Sequence, residues 1–180
     1  MLTEGFLPES KRATEEKWKN KSIDPTISGF QLKPGTRWNP GLSDELIASN
    51  EGALNVRFPR DFKTFLRELN GTDLATLNVY ASTGHPHREW VGIYSYPRDI
   101  EIVKQLIERV RLNRANIARD LAEQGFELRT EADLVPIYGH RYVVCVPNAD
   151  DSVVLSIVVN DPDAIVYGSS LREYLEREFL

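Results

Sequence analysis

Four short apolar runs crowd the last third of the chain: LVPIY at 134–138, RYVVCV at 141–146, VVLSIVV at 153–159 and AIVY at 164–167. Each has the length of a strand and is rich in β-branched residues, and the links YGH and PNADDS between the first three read as turns. Consecutive antiparallel pairing is the simplest topology for such a series. A helix comes directly after them: Ser170 and Glu173 have capping-box spacing, and Leu171, Tyr174, Leu175 and Phe179 form its apolar face.

Upstream, Ser43 is a good N-cap for a helix from Asp44, whose positive end suits Asp44 and Glu45. Leu42 and Ile47 can staple its entry, and Asn55 can end it in the left-handed conformation. Pro59 suits the first residue of a second helix, with Phe62, Phe65, Leu66 and Leu69 on one face and Asn70-Gly71 as its stop. Two strands are expected at 74–80 and 90–96, joined by the polar loop ASTGHPHRE. Asp99 then opens the longest helix, running to about Gln124, with Val103, Leu106, Ile107, Val110, Ile117 and Leu121 buried and Gly125 at its end. Helices, strands, a long helix, more strands and a helix make an α+β pattern, a single domain with a mostly antiparallel or mixed sheet packed by helices.

Residues 1–36 differ. SKRATEEKWKNK is dense in charge, and Pro25, Gly29, Pro34 and Gly35 punctuate the residues between it and Trp38. The expected organisation is an N-terminal extension over 1–36, carrying a short exposed helix near 9–20, and a domain over 37–180. A length of 180 residues suffices for one real core. Composition is that of a soluble globular protein, with 41% hydrophobic and 27% charged residues. No apolar run approaches the ~20 residues that span a bilayer, and the start lacks a signal-peptide core. A lone cysteine, Cys145, cannot form an internal disulfide and fits a reducing, cytoplasmic compartment. The net charge of −5 argues against nucleic-acid binding and is compatible with a basic protein partner.

The residues capable of chemistry do not assemble into a reaction centre. His85-Pro-His87 is a compact pair, but nothing nearby completes a metal site. His140 and Arg141 lie in a tight turn with no Ser/Asp partner pattern, and Cys145 reads as a small buried hydrophobe. Arg111, Arg114 and Arg119 are interleaved with acids, as on a solvated helix face. Asp150, Asp151, Asp161 and Asp163 fall around two turns without the spacing of a calcium loop, and an acidic rim for a basic partner is their second reading. No cofactor, metal or catalytic residue is expected, and the chain is not expected to be an enzyme.

The segment TRWNPGLSDELIASNEGALNVRFPRDFKTFLRELNGTD resembles the opening signature of the SUKH superfamily, also called the Smi/Knr family. The residues that carry it are Trp38, Gly41, Leu42, Ser43, Glu51, Pro59, Phe62, Phe65, Leu66, Asn70 and Gly71. The C-terminal strands and helix are similar to that family as well. The resemblance implies an α+β binding module that acts through protein contacts. Bacterial members are frequently immunity proteins that neutralise polymorphic toxins, often nucleases; fungal relatives regulate cell-wall synthesis. The function expected is therefore toxin neutralisation by direct binding, with a regulatory or scaffold role on an endogenous partner as the alternative. The partner-facing surface is expected at Asp150, Asp151, Asp161 and Asp163, with Tyr138, His140 and Arg141 nearby.

Overall fold

The computed structural model describes residues 2–81, 86–158 and 163–180. In chain order its elements are α1 (Phe6–Lys19), β1 (Gly29–Gln31), α2 (Asp44–Leu54), α3 (Arg60–Glu68), β2 (Thr76–Val79), β3 (Arg88–Trp90), α4 (Ile100–Leu112), α5 (Arg114–Glu123), β4 (Asp133–Tyr138), β5 (Arg141–Cys145), β6 (Val154–Val158), β7 (Asp163–Gly168) and α6 (Leu171–Phe179). The fold is α+β, with two antiparallel sheets ordered β1-β2-β3 and β4-β5-β6-β7. The larger sheet is the consecutive meander expected from its short turns.

Alternate residues of that sheet enter two different cores. Val135, Ile137, Val143, Cys145 and Val154 pack with Trp18, Ile47, Phe62, Phe65, Tyr174 and Phe179. Leu134, Tyr142, Val144, Leu155 and Ile157 pack with Val110, Ile117 and Leu121. An antiparallel sheet with one wet face alternates apolar and polar residues. Here helices cover both faces, which is why VVCV and its neighbours read as unbroken apolar runs. Pro136, which has no N–H to donate, sits in the edge strand β4, where a register shift between Pro136 and Tyr138 breaks the ladder. The smaller sheet joins there through an Ile93–Tyr138 bridge and a bond from Tyr94 N to Ile137 O (3.1 Å).

The helix ends obey local chemistry. Ser43 accepts from Leu46 N (3.3 Å), and Asn55 closes α2 with φ 51°. Pro59 is one position earlier than expected, at the N-cap of α3. Ser170 caps α6, but Glu173 reaches back to Ser169 rather than to the cap, accepting from its N–H (2.8 Å). Gly41 has a packing reason, because a Cβ there would lie 1.7 Å from the Arg67 carbonyl oxygen. Glu51 is buried, taking hydrogen bonds from Phe58 N (2.7 Å) and Lys63 Nζ (2.9 Å), and so ties the end of α2 to the start of α3. Asn70 does more than stop a helix: its amide exchanges two bonds with the backbone of Tyr96, at 2.7 and 2.8 Å.

Three expectations are corrected. The helix of 99–124 is two helices. The Asn113 amide bonds back to Arg109 O (2.9 Å), α4 packs on β4 and α5 on β7, and one straight helix could not track both strands. The strand of 90–96 keeps pairing with β2 only through Trp90, and the chain then crosses to the larger sheet at Ile93. The helix near 9–20 is not exposed on all sides. Leu7, Ser10, Thr14 and Trp18 form a buried stripe along it; Trp18 is 1% exposed and packs against Trp38 and Phe179 with ring centres 5.4 and 6.0 Å away. The extension therefore contributes to the core of the domain it precedes.

Candidate functional site

Antiparallel topology separates the acidic residues. The β4–β5 turn and the start of β7 lie at one end of the larger sheet, because Arg141 pairs with Ser156 and Asp163 with Val158. The β5–β6 loop with Asp150 and Asp151 lies at the other end. Asp150 is spent on Arg60 (2.8 Å), beside the N-terminus of α3. Asp151 is exposed in the same loop, and Asp163 is exposed at the first position of β7. Asp161 and His85 lie outside the described residues, and His87 is exposed before β3. Asp150 and Asp151 thus lie at one end of the larger sheet and Asp163 at the other, and Asp150 is partly neutralised.

Tyr138, His140 and Arg141 do come together, at a cavity of about 240 Å³. Its opposite wall is Ile27, Phe30 and neighbouring residues of the N-terminal arm, and Glu178 closes one side. The arm is held by the Tyr138 hydroxyl, which donates to Phe30 O (3.2 Å), and by the Phe30 ring lying against Gly139. Gly139 has φ 53°, and a Cβ there would come within 2.7 Å of that ring. Phe30 also faces His140 and Trp90, with ring centres 6.1 and 6.3 Å away. Ile27 in the cavity wall is 59% exposed, and Trp90, beside Phe30, is 40% exposed.

The charged groups of this site are anchored. Arg141 Nε donates to Glu178 Oε2 (3.2 Å) and Nη1 to Ser156 Oγ (2.8 Å), while the guanidinium lies 3.7 Å above the Tyr167 ring. Arg177 covers Tyr167 too, at 4.3 Å. Burial, and then the neighbouring Arg141, hold the His140 imidazole below its usual range, so it is neutral near pH 7. Burial likewise pushes the Tyr138 phenol well up. An aromatic floor, a neutral imidazole and an ion pair give the cavity walls of fixed geometry.

Cys145 and His140 are not brought together. Cys145 is 1% exposed, its Sγ lies 3.7 Å from Val143 O, and burial pushes its thiol well up. His140 lies beyond the opposite end of β5, roughly 15 Å away at strand spacing. Among the described residues no group of three His, Cys, Asp or Glu is placed to hold a metal. No helix among them is long and apolar enough to cross a membrane.

The model of the SMI1 / KNR4 family (SUKH-1) matches residues 41–177. The chain belongs to that family. Among curated proteins no significant match is found. The matched region contains the cap at Ser43, the buried Glu51 and the close approach at Gly41. It begins after the arm, so one wall of the cavity comes from outside the SUKH-1 region. Phe30, Ile27 and Glu178 line the cavity although the sequence does not single them out. The one local signal for the arm is a lone aromatic between turn residues, Phe30 after Gly29.

Proposed function

We propose that this SUKH-1 protein is a non-catalytic, cytoplasmic protein-binding domain, and that it acts as an immunity protein that neutralises a polymorphic toxin by direct contact. The observation that supports a binding role is the cavity between the arm and the β4–β5 turn. It has a rigid aromatic floor, a shielded ion pair, the exposed Ile27 in its wall and the exposed Trp90 beside Phe30, which is the anatomy of an interface hot spot. The net charge of −5 favours rapid encounter with a basic partner, such as a nuclease toxin.

Tagged protein should capture a stoichiometric toxin from native lysate, released by a salt gradient and identified by mass spectrometry, and co-expression should suppress its toxicity. Ile27→Asp and Trp90→Ala should weaken that complex. A housekeeping partner with no toxicity to suppress would replace the immunity role by the regulatory one. A toxin complex indifferent to both substitutions would move the interface off this cavity.

A further inference from the structure

Several donors around the cavity lack acceptors among the described residues. Arg141 commits Nε to Glu178 and Nη1 to Ser156, but its Nη2 has no acceptor there, although the side chain is only 15% exposed. Neither ring nitrogen of the half-buried His140 has one. Lys21, also half-buried, feels both Glu178 and Lys17 and has no ion-pair partner among the described residues. Lys17 itself is spent on the Phe179 carbonyl and the Leu180 backbone oxygen, at 3.0 and 3.2 Å. That leaves two cations, Arg141 and Lys21, against the one carboxylate of Glu178, with a neutral imidazole beside them. An arginine fork can serve more than one acceptor, so Nη2 is available to a group entering from the cavity.

We propose that this cavity receives a carboxylate, carried on an acidic side chain of the partner protein. The carboxylate accepts from Arg141 Nη2 and His140, Lys21 adds positive potential, and Ile27 and Phe30 hold the aliphatic stem. The volume of about 240 Å³ is below the roughly 300–1,000 Å³ of small-molecule sites, and suits one inserted side chain. The local sign is opposite to that of the whole molecule, so an overall basic partner would place an isolated acid here. The inference rests on the protein-binding reading only for the source of the carboxylate.

The test is an NMR titration of the full chain with acetyl-Leu-Glu-amide, acetyl-Leu-Gln-amide and acetate, monitoring the His140 ring and Arg141 Nε signals. The Glu peptide should give saturable shifts at both groups, the Gln peptide should bind about fivefold more weakly or worse, and Lys21→Gln should weaken the Glu peptide while leaving the fold intact. Acetate binding as well as the Glu peptide would support the carboxylate and assign it to a free small acid instead of a partner side chain. Equal binding of the Glu and Gln peptides, or no saturable shift at millimolar peptide, would overturn the proposal. Neither result depends on finding a toxin, so this inference and the immunity reading fail separately.

Discussion

The Asp61 carboxylate accepts from both the N–H and the hydroxyl of Ser152, while also capping the Phe62 N–H (2.7 Å). One buried side chain so joins the first turn of α3 to the β5–β6 loop that carries Asp150. Asp61→Ala would leave the buried Ser152 N–H without an acceptor and should cost about 2–3 kcal/mol in urea denaturation. Burial raises the Asp61 carboxyl above its usual range, outweighing those hydrogen bonds. A folded-state value above the unfolded one gives stability that is complete below the unfolded value and is lost as pH rises through the folded one. Asp61→Asn should therefore gain on the wild type as pH rises from acid towards neutral. A gap between the two that is independent of pH would refute this.

Trp18 lies in the part of the chain that its charge density marks as an extension. Its side chain is almost fully buried between Trp38 and Phe179, and Trp38 Nε1 donates to Thr14 Oγ1 (2.8 Å) on the same helix. Trp18→Ala should destabilise the whole domain by about 3–5 kcal/mol. Chemical denaturation monitored at the larger sheet checks it. A loss under about 1 kcal/mol would mean that α1 is not integral to the core.

His140 should titrate below the ordinary imidazole value of about 6.5. Burial is the first cause and Arg141 the second, with Glu178 opposing. Because the folded value lies below the unfolded one, the associated stability is present above the unfolded value and disappears as pH falls through the folded one. An NMR titration of the ring gives the midpoint directly. Arg141→Gln should move it upward; a wild-type midpoint at or above the ordinary value would contradict the burial of this group.

Gly139→Ala should dislodge the arm. The substitution places a Cβ against the Phe30 ring at a left-handed φ, a combined strain of about 1–3 kcal/mol. Faster hydrogen exchange in β1, with the β5–β6 ladder unchanged, is the expected signature. Unaltered protection of β1 would show that the arm is held by other contacts.

The elements written by local rules were legible. Ser43 and Asn55 bracket α2 by their own capping chemistry, and short links make neighbour-with-neighbour pairing the simplest topology for the larger sheet. Trp18 was not legible because its stripe contains Ser10 and Thr14. Their hydroxyls return to the carbonyls of Phe6 and Ser10 (2.7 Å each), so polar residues occupy buried positions at helical spacing. The break at Asn113 carries neither glycine nor proline; it arises from two strands pulling α4 and α5 to different places. As for the candidate site, grouping Tyr138, His140 and Arg141 needed only the turn between them. Joining them to Asp150 ignored the meander, whose successive connections alternate between the ends of the sheet. Phe30 and Glu178 reach the cavity from 108 and 37 residues away in sequence, from Tyr138 and Arg141 respectively, distances no local pattern spans.

The arm that walls the cavity is attached through its pairing with β2, a carbonyl held by Tyr138, Phe30 seated on a residue with no side chain, and Ser28 Oγ, which accepts from Ala81 N (3.1 Å). Ile27 and Ser28, which shape the mouth, contribute nothing to either core. The identity of Ile27 can change without any compensating change in the domain, so the lock can be re-cut while the door stays hung. Two chains with superimposable sheets and helices would then select different partners through a few residues of a loop-borne strand.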